Sequence, residues 1–200
     1  MKRRQPKKLK LLTKGIILCE GQTEEIYFGL LLGREDVKRK FAKVSIQVFQ
    51  PEDYSPLGIV SKAIEIKKEN SRTNQIDFIW CVFDRDNHSN IPEAFSQASS
   101  TNSIYIAFSS ICFEFWIYLH FDYSSRPYTD CYNMEHAVKN KFKDYHKTDK
   151  HSIETIIQHL DTARRHAKLL AQSQRYESSH IYERAAYTDV HLLIDFLLGE

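Results

Sequence analysis

No apolar run in the 200 residues approaches the roughly 20 that a membrane-spanning helix needs. The basic start runs into Leu11-Leu12, but Lys14 interrupts it and no small-residue cleavage site follows, so a secretory leader is not expected. The four cysteines, Cys19, Cys81, Cys112 and Cys131, contain no Cys-x-x-Cys spacing, which argues against a zinc site or a disulfide framework. They read instead as reduced thiols of a cytoplasmic protein, with Cys19 and Cys81 in predicted buried strands. A Walker A motif is also lacking, so any ATP hydrolysis must come from another protein. Internal repeats and low-complexity segments are missing as well. Net charge is only +2, so the chain as a whole is not a polycation.

A hydrophobic fraction of 42% with 12% aromatics is enough for a packed core. Charge is concentrated at the start, where Lys2, Arg3, Arg4, Lys7, Lys8 and Lys10 crowd around Pro6. Residues 1–14 thus read as a basic arm, suited to a phosphate backbone or to solvation alone. Short apolar strands then alternate with helical patterns. Strands are predicted at 15–19, 44–49, 78–83 and 103–108, with helices from Thr23 to Gly33, from Leu57 to Lys68, from Asn90, and from Phe115 to Phe121. Thr23 is the expected N-cap of the first helix, and Asn90 with Glu93 forms a capping-box pattern. The alternation argues for an α/β core over 15–122, a parallel sheet of about four strands flanked by helices. After a linker at 122–127 the pattern becomes helical, with helices predicted at 133–145, 152–175 and 189–198. Residues 123–200 are therefore expected to form a C-terminal helical extension packed on the core.

The chemistry gathers at strand ends. The run Phe78–Phe83 stops at Asp84-Arg85-Asp86, and two carboxylates one residue apart point the same way if the chain stays extended. Glu20 ends the first strand, with Glu24 in the first turn of the following helix. In a doubly wound sheet these two strands can be neighbours, and ligands bind at such carboxyl ends. Glu20, Glu24, Asp84 and Asp86 would then repel one another unless one or two Mg²⁺ or Mn²⁺ ions neutralise them. Two metals about 4 Å apart can clamp a phosphodiester. The competing reading makes Asp84 and Asp86 turn-capping residues and Glu24 a helix-dipole acid.

These residues also carry a resemblance. Glu20-Gly-Gln-Thr-Glu24 after one strand and Asp84-Arg-Asp86 after another look like a Toprim domain, the metal-binding fold of topoisomerases, primases and OLD-type nucleases. Cys19-Glu-Gly-x-Thr-Glu-x-x-Tyr-Phe28, Trp80-Cys-Val-Phe-Asp-Arg-Asp86, Ser110-x-Cys-Phe-Glu-x-Trp116 with His120-Phe121, and Tyr145-x-Lys147 resemble the RloB family over nearly the whole chain. The resemblance implies a Toprim-like fold and a link to restriction-modification and abortive-infection loci, often beside an AAA-type ATPase. It implies Glu20, Glu24, Asp84 and Asp86 as metal-binding acids and adds Glu114 and Lys147 to the site. One departure is that Ser110-Ile111-Cys112 stands where the family commonly has Asn-Pro between Ser and Cys.

Glu114 is either a helix-terminal acid or supporting group, or a direct metal or catalytic residue. Lys147 can stabilise charge growing on a phosphate, or be one more solvated lysine. Arg85 is expected to point away from the acids into an ion pair. His88 and His120 read as structural histidines. The aromatic cluster of Tyr105, Phe113, Phe115, Trp116 and Tyr118 reads as core packing. Two functional expectations follow. One is a metal-dependent nuclease cleaving DNA or RNA in antiviral defence, with Glu20, Asp84, Asp86, Glu114 and Lys147 catalytic. The other is a non-catalytic Toprim-like subunit that binds nucleic acid or a nucleotide beside a partner ATPase.

Overall fold

The computed structural model describes residues 13–70, 75–86, 88–174 and 180–199. Residues 1–12 of the basic arm lie outside them, while Thr13 and Lys14 already belong to the first strand. Strands β1 (Thr13–Cys19), β2 (Val44–Phe49), β3 (Ile76–Asp84), β4 (Ile104–Ser110) and β5 (Tyr187–Thr188) form one sheet in the order β2-β1-β3-β4-β5. The first four are parallel and only β5 is antiparallel, pairing Ser109 with Thr188. The sheet thus has one strand more than expected, donated by the C-terminal part of the chain. A two-residue strand is too short to show a period, which is why the sequence pattern did not reveal it. The architecture agrees with the Toprim-like α/β fold that the resemblance implies.

The central strands are apolar on both faces because helices cover both. On one face, α3 (Pro56–Glu69) and α4 (Ile91–Ser99) pack Ile59, Val60, Ala63, Ile91 and Ala94 against Ile16, Leu18, Ile79, Cys81 and Phe83. On the other, α1 (Gln22–Leu32), α5 (Phe113–Tyr118) and the later helices share a larger core around Tyr27, Phe28, Trp116 and Tyr145. Each such aromatic contributes about 1.5–3 kcal/mol by leaving water. Tyr105 is not part of this core. It is half exposed and stacks on Trp80 at 5.1 Å between ring centroids.

Several element boundaries differ from expectation. Gly21, not Thr23, is the N-cap of α1, and Thr23 is buried. Asn90 caps α4 without a side-chain bond, and Glu93 accepts from Gln97 in place of closing a capping box. An unexpected helix, α2 (Glu35–Lys40), has acids in its first turn and bases in its last, matching the helix dipole, but buries only Val37. Helix α6 spans Cys131–Lys141 because Asp130 accepts from the Asn133 amide at 2.7 Å. The helix expected at 152–175 is two: α7 (Lys150–Ile157), capped by Asp149, and α8 (Leu160–Ser173). Tight bonds from the Gln158 and His159 amides to the Thr155 and Ile156 carbonyls close α7 and re-aim the chain. In α9 (Val190–Leu198) the Asp189 carboxylate does not cap its own helix. It accepts from the Phe108 amide of β4 at 2.6 Å. Among the described residues no helix is long and apolar enough to cross a membrane.

Candidate metal and phosphodiester site

The β1–β3 pairing sets the site. Cys19 lies opposite Val82, and the Glu20 amide donates to the Val82 carbonyl at 3.0 Å. Glu20 therefore emerges beside Asp84, and its Oε2 accepts from the Asp84 amide at 2.8 Å. Its Oε1 lies 2.8 Å from His88 Nε2, so His88 belongs to the site and is not isolated. Gly21 then turns the chain into α1, and Glu24 folds back over it. A Cβ at position 21 would come within 2.8 Å of Glu24 Oε2, so a larger residue there would displace that carboxylate.

Asp84 closes β3 and is 9% exposed. Its Oδ2 accepts from the Phe113 amide at 2.8 Å and so fixes the start of α5. This is why that helix begins at Phe113 and not Phe115. Its Oδ1 is buried with no hydrogen-bond partner. Glu114, on the first turn of α5, is 4% exposed. Its Oε1 accepts from Lys147 Nζ at 2.9 Å and from the Tyr145 hydroxyl at 3.1 Å. Lys147 also lies 3.6 Å from Glu135. The Tyr145-x-Lys147 segment thus reaches the strand ends, as a catalytic or charge-balancing Lys147 requires. Tyr145 enters as a site residue that the sequence offered only as a motif letter.

Burial pushes the Asp84 carboxyl well up, and the charges of Glu24, Glu20 and Glu114 push it further. Glu24 is raised to about 8, by burial first and then by Glu114 and Glu20, with Lys147 opposing. Glu20 is also raised by burial, against the lowering by the Asp84 amide and His88. Burial pulls the Lys147 ammonium down, but the Glu114 carboxylate more than offsets it and holds the proton on. Glu20, Glu24, Asp84 and Glu114 therefore form one electrostatic unit.

Asp86 stands apart from it. The chain does not stay extended: Asp86 has φ of +28°, and its amide donates to the Ile111 carbonyl at 3.0 Å. The side chain is exposed, and its charge adds to the upward push that burial gives Glu20. The expected shared direction of Asp84 and Asp86 fails for this reason. Arg85 does turn away from the acids, but its guanidinium donates to the Arg184 carbonyl in place of an ion pair. His120 is structural: Nδ1 donates to the Trp116 carbonyl, Nε2 accepts from Tyr27, and burial lowers it to about 3. Cys19 and Cys81 are buried free thiols, both pushed up by desolvation.

Among the described residues no three His, Cys, Asp or Glu side chains converge in ligating geometry. The acids are turned onto protein donors: Glu20 onto Asp84 and His88, Asp84 onto Phe113, and Glu114 onto Lys147 and Tyr145. The donor chemistry nevertheless suits a hard cation. It offers several carboxylate oxygens in a buried setting, and Asp84 Oδ1 has no hydrogen-bond partner.

A family model described as RloB-like protein matches residues 16–197. The chain belongs to the RloB-like family. The match spans the sheet from within β1 onward, the acid cluster, and the C-terminal helices with the loop that carries Lys147. No curated protein matches the chain.

Proposed function

We propose that this RloB-like protein is a metal-dependent nuclease whose centre is the cluster of Glu20, Glu24, Asp84 and Glu114. The observation that carries the reading is Asp84 Oδ1, a buried carboxylate oxygen with no partner, ringed by acids that raise its proton affinity. A fold gains nothing by keeping such a group unless a proton or a cation completes it. Asp84, Glu20 and Glu24 would hold Mg²⁺ or Mn²⁺, with Asp86 at the rim. The ion would neutralise charge on a phosphodiester and activate water. Glu114 holds Lys147 at the edge of the cluster, where its ammonium faces charge developing on a phosphate oxygen. His88 fixes one Glu20 oxygen.

A second reading keeps the acids but not the chemistry: a Toprim-like subunit that binds nucleic acid or a nucleotide beside an AAA-type ATPase, within an antiviral defence locus. What favours it is that no three ligating side chains converge among the described residues. Labelled DNA and RNA pools incubated with the protein, with and without Mn²⁺, separate the two. Metal-dependent cleavage that disappears in Asp84→Asn supports the nuclease. Retained binding without cleavage in any metal supports the subunit.

A further inference from the structure

Directly beside the acid cluster lies a cleft of about 680 Å³ at the carboxyl end of β2. Its walls are the segment after β2, the first turns of α3, and Asn90 at the head of α4. It shares a wall with the acids, because the Gln50 carboxamide donates to the Glu20 carbonyl. Its volume is ample for a nucleoside.

The lining decides what fits. Glu52, Asp53 and Glu65 stand against Lys62 alone, and Lys62 is paired with Glu65 at 3.0 Å. The head of α3 is already covered: Asp53 accepts from the Ser55 amide at 3.0 Å and hydroxyl at 2.7 Å, and sits where a Cβ on Gly58 would fall. A phosphate would meet repulsion there, although helix starts ordinarily attract it. The surplus is of acceptors. Asn90 Oδ1 is buried and has no hydrogen-bond partner, and the Glu52 carboxylate adds to it. The Phe49 ring supplies an apolar wall. An uncharged planar group carrying N–H donors meets all of these conditions.

We infer that the cleft between β2, α3 and Asn90 receives an amino-bearing nucleobase of the strand whose phosphate lies at the acid cluster. This inference rests on the nucleic-acid reading above. The base would lie on Phe49 and present its exocyclic amino group to the Glu52 carboxylate, and a rotation of the Asn90 side chain would bring its buried, unpartnered oxygen to accept a second hydrogen bond. Phosphates would stay outside, on the Lys147 side, while the cleft selects which nucleotide sits next to the reacting one. Stacking and hydrogen bonds of this kind discriminate bases in single strands.

The test uses adenosine, cytidine and uridine, which carry no phosphate, titrated without metal into the full-length protein and followed by amide NMR. Saturable shifts at Gln50, Glu52 and Ser61 with adenosine or cytidine, and binding at least about tenfold weaker for uridine, are expected. Ser61→Trp, a change at an exposed cleft position, should abolish the shifts while leaving the remaining spectrum folded. Spermidine provides the counter-arm. Shifts with spermidine but with none of the nucleosides, equal binding of uridine, or undiminished binding by Ser61→Trp would each overturn the assignment. Because neither metal nor phosphodiester is present, the result is independent of cleavage. An active nuclease with an inert cleft would sink this inference alone.

Discussion

At the scale of the residue, Asp84 does two jobs that substitutions can separate. Its charge burdens the fold, since it is buried among like charges. Its Oδ2 is structural, because it holds the Phe113 amide that starts α5. Asp84→Asn keeps an acceptor and removes the charge, so in chelator it should unfold at a urea concentration equal to or above that of wild type. Asp84→Ala strands the Phe113 amide and should be less stable than Asp84→Asn by about 1–3 kcal/mol. Equal midpoints for the two variants would show that the cap is energetically idle. Glu24 predicts a pH dependence. Its carboxyl is raised from 4.5 to about 8, so in that interval the folded protein holds a proton that the unfolded chain releases. Metal-free stability should fall as pH rises from about 4.5 to 8, by up to about 1.4 kcal/mol per pH unit from this group, and then level off. Glu24→Gln should flatten part of that decline in thermal melts, and an unaltered profile would assign the slope to other acids. The acids at strand ends were legible in the sequence because an abrupt apolar-to-acid boundary marks a carboxyl terminus. The turn of Asp86 was not, since its positive φ accompanies a hydrogen bond to Ile111 beyond β4. The Glu20–His88 contact was hidden for a similar reason: it joins loops from two different strands.

At the scale of the element, two of the positions that the sequence pattern missed, the start of α5 and the strand β5, are set by tertiary hydrogen bonds. Periodicity placed four strands and most helices within a few residues. Helix α5 starts early because Asp84 caps it from another strand, and β5 exists because β4 offers an edge. The loop between α6 and α7 is the instructive case. It is polar and rich in lysine, so its own sequence looks like surface. Yet Tyr145 is fully buried and, with Lys147, closes on Glu114. Removing the ammonium leaves Glu114 as an uncompensated buried acid and takes a cation from the site. Lys147→Ala should bind nucleic acid about as well as wild type but cleave it on the order of a hundredfold more slowly, as expected for loss of one well-placed electrostatic donor. Tyr145→Phe keeps the ring and the packing and removes only the hydroxyl, so its loss should be clearly smaller. Single-turnover rates measured at saturating protein would rank the two, and the reverse order would move the main role from the ammonium to the hydroxyl.

At the scale of the whole molecule, the boundary drawn near residue 122 divides motifs but not the core. One hydrophobic cluster runs from Ile17, Tyr27 and Phe28 through Phe113 and Trp116 to Met134, Ile153, Leu160, Ala167 and Leu193. The segment after the linker also completes the sheet through β5, and it caps β4 through the Asp189 carboxylate on the Phe108 amide. Arg164 on α8 ties to Asp195 on α9 at 2.7 Å, fastening that layer to itself. The C-terminal helices are thus one wall of the domain, and the loop between α6 and α7 carries the lysine that balances the acid cluster. A chain ending at residue 122 would expose the inner faces of α1 and α5 and leave β4 as an open edge, the combination that favours aggregation. The full chain should therefore unfold in a single transition by both circular dichroism and tryptophan fluorescence, with Trp80 on β3 and Trp116 on α5 both buried in the shared core. Residues 1–122 alone should give no cooperative transition and should elute as aggregate. A truncated chain that melts cooperatively would show that the α/β layer carries its own stability. Lys147 would then be delivered by a separable appendage, and its pairing with Glu114 could open and close without disturbing the sheet.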